Sequence, residues 1–115
     1  MAKDDYHVIV YQILAYLYQC LKNGNDVDTR LLQYNSSLIG AKNAKYWNYI
    51  IANMYDEHLI TGIQFAVLDG VNGKVPVDMS ECQITPYGIE YLCDNSLMEK
   101  AKKFLKDIKE ITPFF

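Results

Sequence analysis

Apolar residues recur at helical spacing along the first part of the chain. Ile9, Ile13, Leu17 and Leu21 form one stripe, Val10, Leu14 and Tyr18 widen it, and Tyr6 and Tyr11 add to it. The pattern predicts a helix that begins at an Asp4 or Asp5 cap and runs to about Asn23. A helix apolar around so much of its circumference is buried on more than one side. Either another helix of the chain or a second subunit covers the second face. The run Asn23-Gly24-Asn25-Asp26 is a stop and turn signal. Asp28 is then placed to cap a short second helix over 29–34, with Leu31 and Leu32 inward, which Asn35-Ser36-Ser37 ends.

The stretch 41–65 organises the rest. Ala44, Trp47, Ile51, Met54 and Tyr55 fall on one face of a third helix, and Lys42, Lys45, Tyr46, Tyr49 and Asn53 on the other. Leu38 and Ile39 enter the core before it, and Gly40 turns the chain toward it. It stops near Asp56-Glu57-His58, and 59–68 reads as a strand rich in branched and aromatic residues. Asp69-Gly70 and Asn72-Gly73 are turn dipeptides, and Asn-Gly suits a tight hairpin because its central residues take positive φ. The return begins at Lys74, Pro76 marks it as an edge, Met79-Ser80-Glu81 form a loop or bulge, and Cys82-Gln83-Ile84 finish it.

Thr85-Pro86 starts a fourth helix over 86–93, with Thr as the cap and Pro in the first turn. Asp94-Asn95 break it, and Ser96 with Glu99 reads as a capping box that opens the last helix, 96–111. Leu97, Ala101, Phe104, Leu105, Ile108 and Ile111 share one stripe of that helix, flanked by Lys100, Lys102, Lys103, Lys106 and Lys109. Thr112-Pro113 stops it before the apolar Phe114-Phe115. The expected architecture is α+β: one winged helix-turn-helix domain over 1–115, with a three-helix core, a β-hairpin wing and two C-terminal helices.

At 115 residues the chain is of single-domain size and should bury roughly two-thirds of its unfolded surface. Hydrophobic residues make up 50% and charged residues 22%, the balance of a soluble globular domain. No charged-then-apolar leader is visible, and the apolar run 8–21 is broken by Gln12 and Gln19, so a cytoplasmic protein without a membrane span is expected. Cys20, Cys82 and Cys93 are far apart and odd in number, with no zinc-ligand spacing to His7 or His58, so they read as three buried or half-buried thiols in a reducing compartment. The net charge of −3 weighs against nucleic acid, because affinity for a duplex comes largely from Lys and Arg on phosphates.

Leu38-Ile39-Gly40, the helix after it, Asp56-Glu57-His58-Leu59-Ile60-Thr61-Gly62-Ile63, and Ile84-Thr85-Pro86-Tyr87-Gly88-Ile89-Glu90-Tyr91-Leu92 resemble the pattern of winged-helix proteins. With Asn95-Ser96 and the Lys-rich last helix, most of the chain resembles the YjcQ-like family of small winged-helix proteins from Gram-positive bacteria and their phages. The resemblance implies a winged-helix fold and a DNA-binding role. Two departures stand out: many such proteins carry Gly where His58 stands, and Lys74 is the one basic residue of the wing.

The candidate DNA surface lies on the third helix. Lys42 and Lys45 would pair with phosphates, Asn43 would read an adenine edge, and Tyr46 and Tyr49 would touch sugar or thymine methyls, with Arg30 and Lys74 adding backbone contacts. The plainer reading is a solvated helix face carrying two lysines. Asp56 and Glu57 would confine any duplex to the N-terminal half of that helix. Trp47 reads as a core anchor, and the lysines of the last helix as a solvated face with stems packed on its stripe. Tyr11, Tyr18, Phe104, Ile108 and Ile111 are candidates for a homodimer interface between first and last helices. No nucleophile–base pair, phosphate loop, metal motif or paired-carboxylate signature is present, so neither an enzyme nor a cofactor is expected. Two functions remain open: a DNA-binding regulator of phage or prophage type, with duplex DNA as partner, and a module that binds protein instead.

Overall fold

The computed structural model describes residues 1–41, 43–67 and 74–108. Eight elements follow in chain order: α1 (Tyr6–Asn23), α2 (Ala44–Asp56), β1 (Ile60–Thr61), β2 (Gln64–Ala66), β3 (Val75–Asp78), β4 (Gln83–Ile84), α3 (Pro86–Asp94) and α4 (Ser96–Asp107). The chain is α+β, with four helices and two short antiparallel pairs among the described residues.

Helix α1 is the centre of the molecule. Val8, Ile9, Ile13, Leu14 and Leu17 are all at most 2% exposed, and α2, α3, α4 and β4 all pack on it. Its second apolar face is therefore covered by α3 and α4 of the same chain. Each large apolar side chain so buried stabilises by about 1.5–3 kcal/mol relative to exposure. Ile50, Ile51 and Met54 of α2 and Met98, Ala101 and Leu105 of α4 are fully buried in the same cluster.

The expected helix over 29–34 is absent: this segment is a series of turns. Asp28 Oδ1 accepts from the Arg30 N–H, Leu31 N–H bonds to Asp28 O, and Ser36 Oγ donates to Leu31 O while accepting from Ile39 N–H. Short polar side chains thus take over backbone groups that a helix would pair, in a stretch too short to propagate one. The three-helix core is in this respect corrected to two helices before the hairpin. Leu32 and Ile39 still reach the core, as their apolar character requires.

The hairpin is built in two tiers. Ile60 pairs with Ile84 and Thr61 with Gln83, and beyond a break Gln64 pairs with Asp78, Phe65 with Pro76 and Ala66 with Val75. Gly62 makes the break, at φ +79, where an added Cβ would stand 2.0 Å from the Glu81 carbonyl oxygen. A side chain is excluded there on both counts. The turn dipeptides Asp69-Gly70 and Asn72-Gly73 lie outside the described residues, as do Lys42, Lys109, Ile111, Thr112-Pro113 and Phe114-Phe115.

Thr85 caps α3 as its sequence predicts, accepting from the Gly88 N–H at 2.9 Å with Pro86 in the first turn. The capping box at Ser96 is replaced by Asn95, whose Oδ1 accepts from Leu97 N–H and Met98 N–H. Asn95 is extended, at φ −74 and ψ 132, and it ends α3 as well as starting α4. Asn serves as well as Ser at this position, so the residue with cap geometry wins. Likewise Asp5 stands at the start of α1 but makes no side-chain cap, its Oδ2 accepting from the Ala2 N–H instead.

Candidate interaction site on the second helix

Helix α2 places the residues singled out in the sequence. Trp47 is 5% exposed and pinned inward, and Lys45 points to solvent. The candidate contacts divide once their partners are traced. Asn43 Oδ1 accepts from the Tyr46 N–H at 2.8 Å, so its amide oxygen caps the helix. Tyr46 is half-buried, and its hydroxyl donates to the Asp4 carbonyl at 2.8 Å, tying α2 to the segment before α1. Tyr49 is 62% exposed and lies edge-to-face with Tyr6 at 6.2 Å.

The cations expected to flank this helix carry partners of their own. Arg30 grips Asp28 with both arms, Nε to Oδ1 at 3.1 Å and Nη2 to Oδ2 at 3.0 Å, and holds that carboxyl below the usual carboxylate range. Lys74 Nζ sits 3.0 Å from Asp56 Oδ1 and 5.6 Å from the ring centres of Tyr55 and Phe65. Those rings stack edge-to-face at 4.9 Å. Asp56 ends α2, where the helix dipole presents its negative end and the last turn holds no basic residue. Lys74 supplies the missing positive charge from the hairpin. Its ammonium therefore anchors the hairpin to α2.

The residues proposed for a dimer seam are divided too. Tyr11 is 5% exposed inside the chain's own core, Tyr18 and Phe104 are half-buried against it, and Ile108 is 45% exposed. The first and last helices pack on each other within one chain.

A group of residues that the helical pattern did not single out as a site comes together beside α2. Tyr6 of α1 meets Tyr49 of α2 edge-to-face, Glu57 at the end of α2 acts on both Tyr6 and Tyr91, and Tyr87 stands one turn before Tyr91 on α3. Partial burial, then the charge of Glu57, pushes the Tyr6 phenol up to about 12. The same two causes raise Tyr91, and burial followed by Asp4 and Asp5 raises Tyr46. The spacing Tyr87, Glu90, Tyr91 along α3 was the available signal, but only the fold could set it beside Tyr6 and Glu57.

A groove of about 460 Å³ runs between the 29–34 turns, Trp47 and Asn48 of α2, and Pro76–Ser80. Among the described residues no cluster of His, Cys, Asp or Glu could hold a metal ion, and no helix is long and apolar enough to cross a membrane.

A helix on a buried Trp47, a following hairpin and a capped helix behind it make up a small α+β unit. Residues 11–111 match the family described as YjcQ protein, and the chain belongs to that family. No curated protein and no solved structure matches the chain.

Proposed function

We propose that this YjcQ-family protein is a winged-helix-type module that binds another protein through the surface around α2. The element order supports the winged-helix reading: α2 stands where a recognition helix would, and the paired strands after it where a wing would. One observation carries the choice of partner. Lys74, the one described cation on the hairpin, is held on Asp56 at 3.0 Å instead of standing free at its tip. Arg30 is likewise forked onto Asp28, and the chain carries a net charge of −3. A duplex binder needs such groups for phosphates.

A second reading rests on Lys45, exposed in the first turn of α2 where the helix dipole is positive. With Lys42 it would give a short phosphate-facing site, and the protein would then be a DNA-binding regulator of phage or prophage type. Fluorescence anisotropy with a labelled duplex of mixed sequence, at low and then rising salt, separates the two. The protein-binding reading expects no saturable binding at low salt. Saturable binding that weakens steeply with salt and is lost in the Lys42→Ala, Lys45→Ala double variant, with its melting temperature unchanged, overturns it.

A further inference from the structure

We infer that the tyrosine face shared by α1, α2 and α3 is a docking surface for an arginine-rich segment of a protein partner. The inference deepens the protein-binding reading and rests on it. Tyr49 and Tyr87 are 62% and 54% exposed, a large aromatic offering on so small a domain. Tyr6 braces Tyr49 edge-to-face, so the exposed ring is held in place before any partner arrives. Tyrosine suits interfaces because it gives contact area at little loss of rotamer freedom.

Charge decides which partner fits. Glu57 is exposed at the end of α2, and Glu90 is exposed one turn beyond Tyr87 on α3. Neither carboxylate has an ion-pair partner among the described residues. Lys45 stands one turn before Tyr49 on the same helix, but the two carboxylates outnumber it, so the face is aromatic and net negative. Guanidinium groups satisfy both properties at once, stacking flat on phenol rings while forking onto a carboxylate. A lysine ammonium meets the charge but stacks less well, so arginine is favoured.

The test titrates the full chain against a short fluorescein-labelled peptide of alternating Arg and Gly, with a Lys-for-Arg counterpart, followed by anisotropy. Saturable binding is expected to the Arg peptide and to be several-fold weaker to the Lys peptide. Tyr49→Ala and Tyr87→Ala should each weaken it about tenfold, and Glu57→Gln should weaken it less. Lys45→Ala, which removes a like charge one turn from Tyr49, should not weaken it. Both tyrosines are more than half exposed, so unchanged thermal melting separates lost docking from lost fold. Equal affinity for the two peptides, or affinity unmoved by both tyrosine substitutions, overturns the inference by reducing it to net charge. Absence of peptide binding in a chain that also ignores duplex DNA overturns the inference and leaves the protein-binding reading standing. Salt-sensitive duplex binding overturns that reading itself.

Discussion

Gly88 and the Leu59 carbonyl are in such close approach that a Cβ on Gly88 would stand 2.2 Å from Leu59 Oxygen. The same Cβ would meet Ile84 Cγ1 at 2.8 Å. The first turn of α3 is thus seated on the backbone that leaves α2. Thr85 reinforces the joint, its N–H bonding to Leu59 O at 3.1 Å and its hydroxyl donating to His58 O. Replacing Gly88 by Ala gains at most about 1 kcal/mol of helix propensity. The overlap is with backbone, which cannot swing aside, and overpacking of this kind costs about 1–3 kcal/mol. Gly88→Ala is therefore expected to lower stability, measured as an earlier midpoint in urea unfolding.

His58 has φ +62, the only non-glycine residue with positive φ among those described. It ends α2 in the left-handed region, where its Cβ crowds the neighbouring carbonyl. The departure from glycine noted in the sequence is thus accommodated by strain at His58. His58→Gly should stabilise the fold by about 0.5–1 kcal/mol, since relief of that strain exceeds the added freedom of glycine in the unfolded chain. A melting temperature equal to or below that of the parent would show that the imidazole makes a compensating contact.

The three thiols should separate by access. Cys93 is exposed, against the burial expected of all three thiols, whereas Cys20 is 8% and Cys82 1% exposed. Burial pushes the Cys82 thiol up to about 12, which keeps it protonated and unreactive. Titration of the native protein with a disulfide reagent at neutral pH should modify Cys93 promptly and leave Cys82 until denaturant is added. Rapid reaction of all three thiols would mean that the hairpin base opens freely.

The sequence made some of this architecture legible through strong local signals. Thr85-Pro86 located a helix start to the residue, and the apolar face of α2 placed Trp47 inside. The 29–34 segment reads as a helix because of Leu31 and Leu32, while Asp28 and Ser36 divert its backbone into turns. Ser96 with Glu99 reads as a capping box, yet Asn95 beside it is as good a cap, and only backbone angles choose between them. The candidate site was least legible. Arg30 lies two residues from its partner, but Lys74 meets Asp56 across the fold, eighteen positions away. Whether a cation is free is a property of the folded surface, which periodicity does not encode.

The Lys74–Asp56 pair should contribute little stability and much to hairpin orientation. Its side chains are 45% and 57% exposed, and exposed pairs couple by about 0.2–1 kcal/mol. A double-mutant cycle with Lys74→Ala and Asp56→Ala should return a coupling in that range that shrinks as salt rises. Coupling well above it would require desolvation of the pair that its exposure does not allow. Asp56→Asn, which releases Lys74 without removing it, should not confer duplex binding if protein is the partner.

Tyrosine titration offers the clearest dependence on pH. Burial, with help from Glu57, raises Tyr6 to about 12, and burial with a smaller effect of Cys93 raises Tyr11 to about 12. In the unfolded chain both phenols ionise near the ordinary value of about 10. Below that pH both states hold the proton and the contribution to stability is fully present. As pH rises from about 10 towards 12 the unfolded chain releases protons that the folded chain keeps, so stability is lost across that window. In ultraviolet absorbance of phenolate, Tyr6 and Tyr11 should therefore ionise late, together with alkaline unfolding. Glu57→Gln removes one of the charges acting on Tyr6 and should advance its ionisation while leaving Tyr11 where it is. Ionisation of Tyr6 and Tyr11 near 10, with the fold intact, would contradict the burial assigned to the first helix.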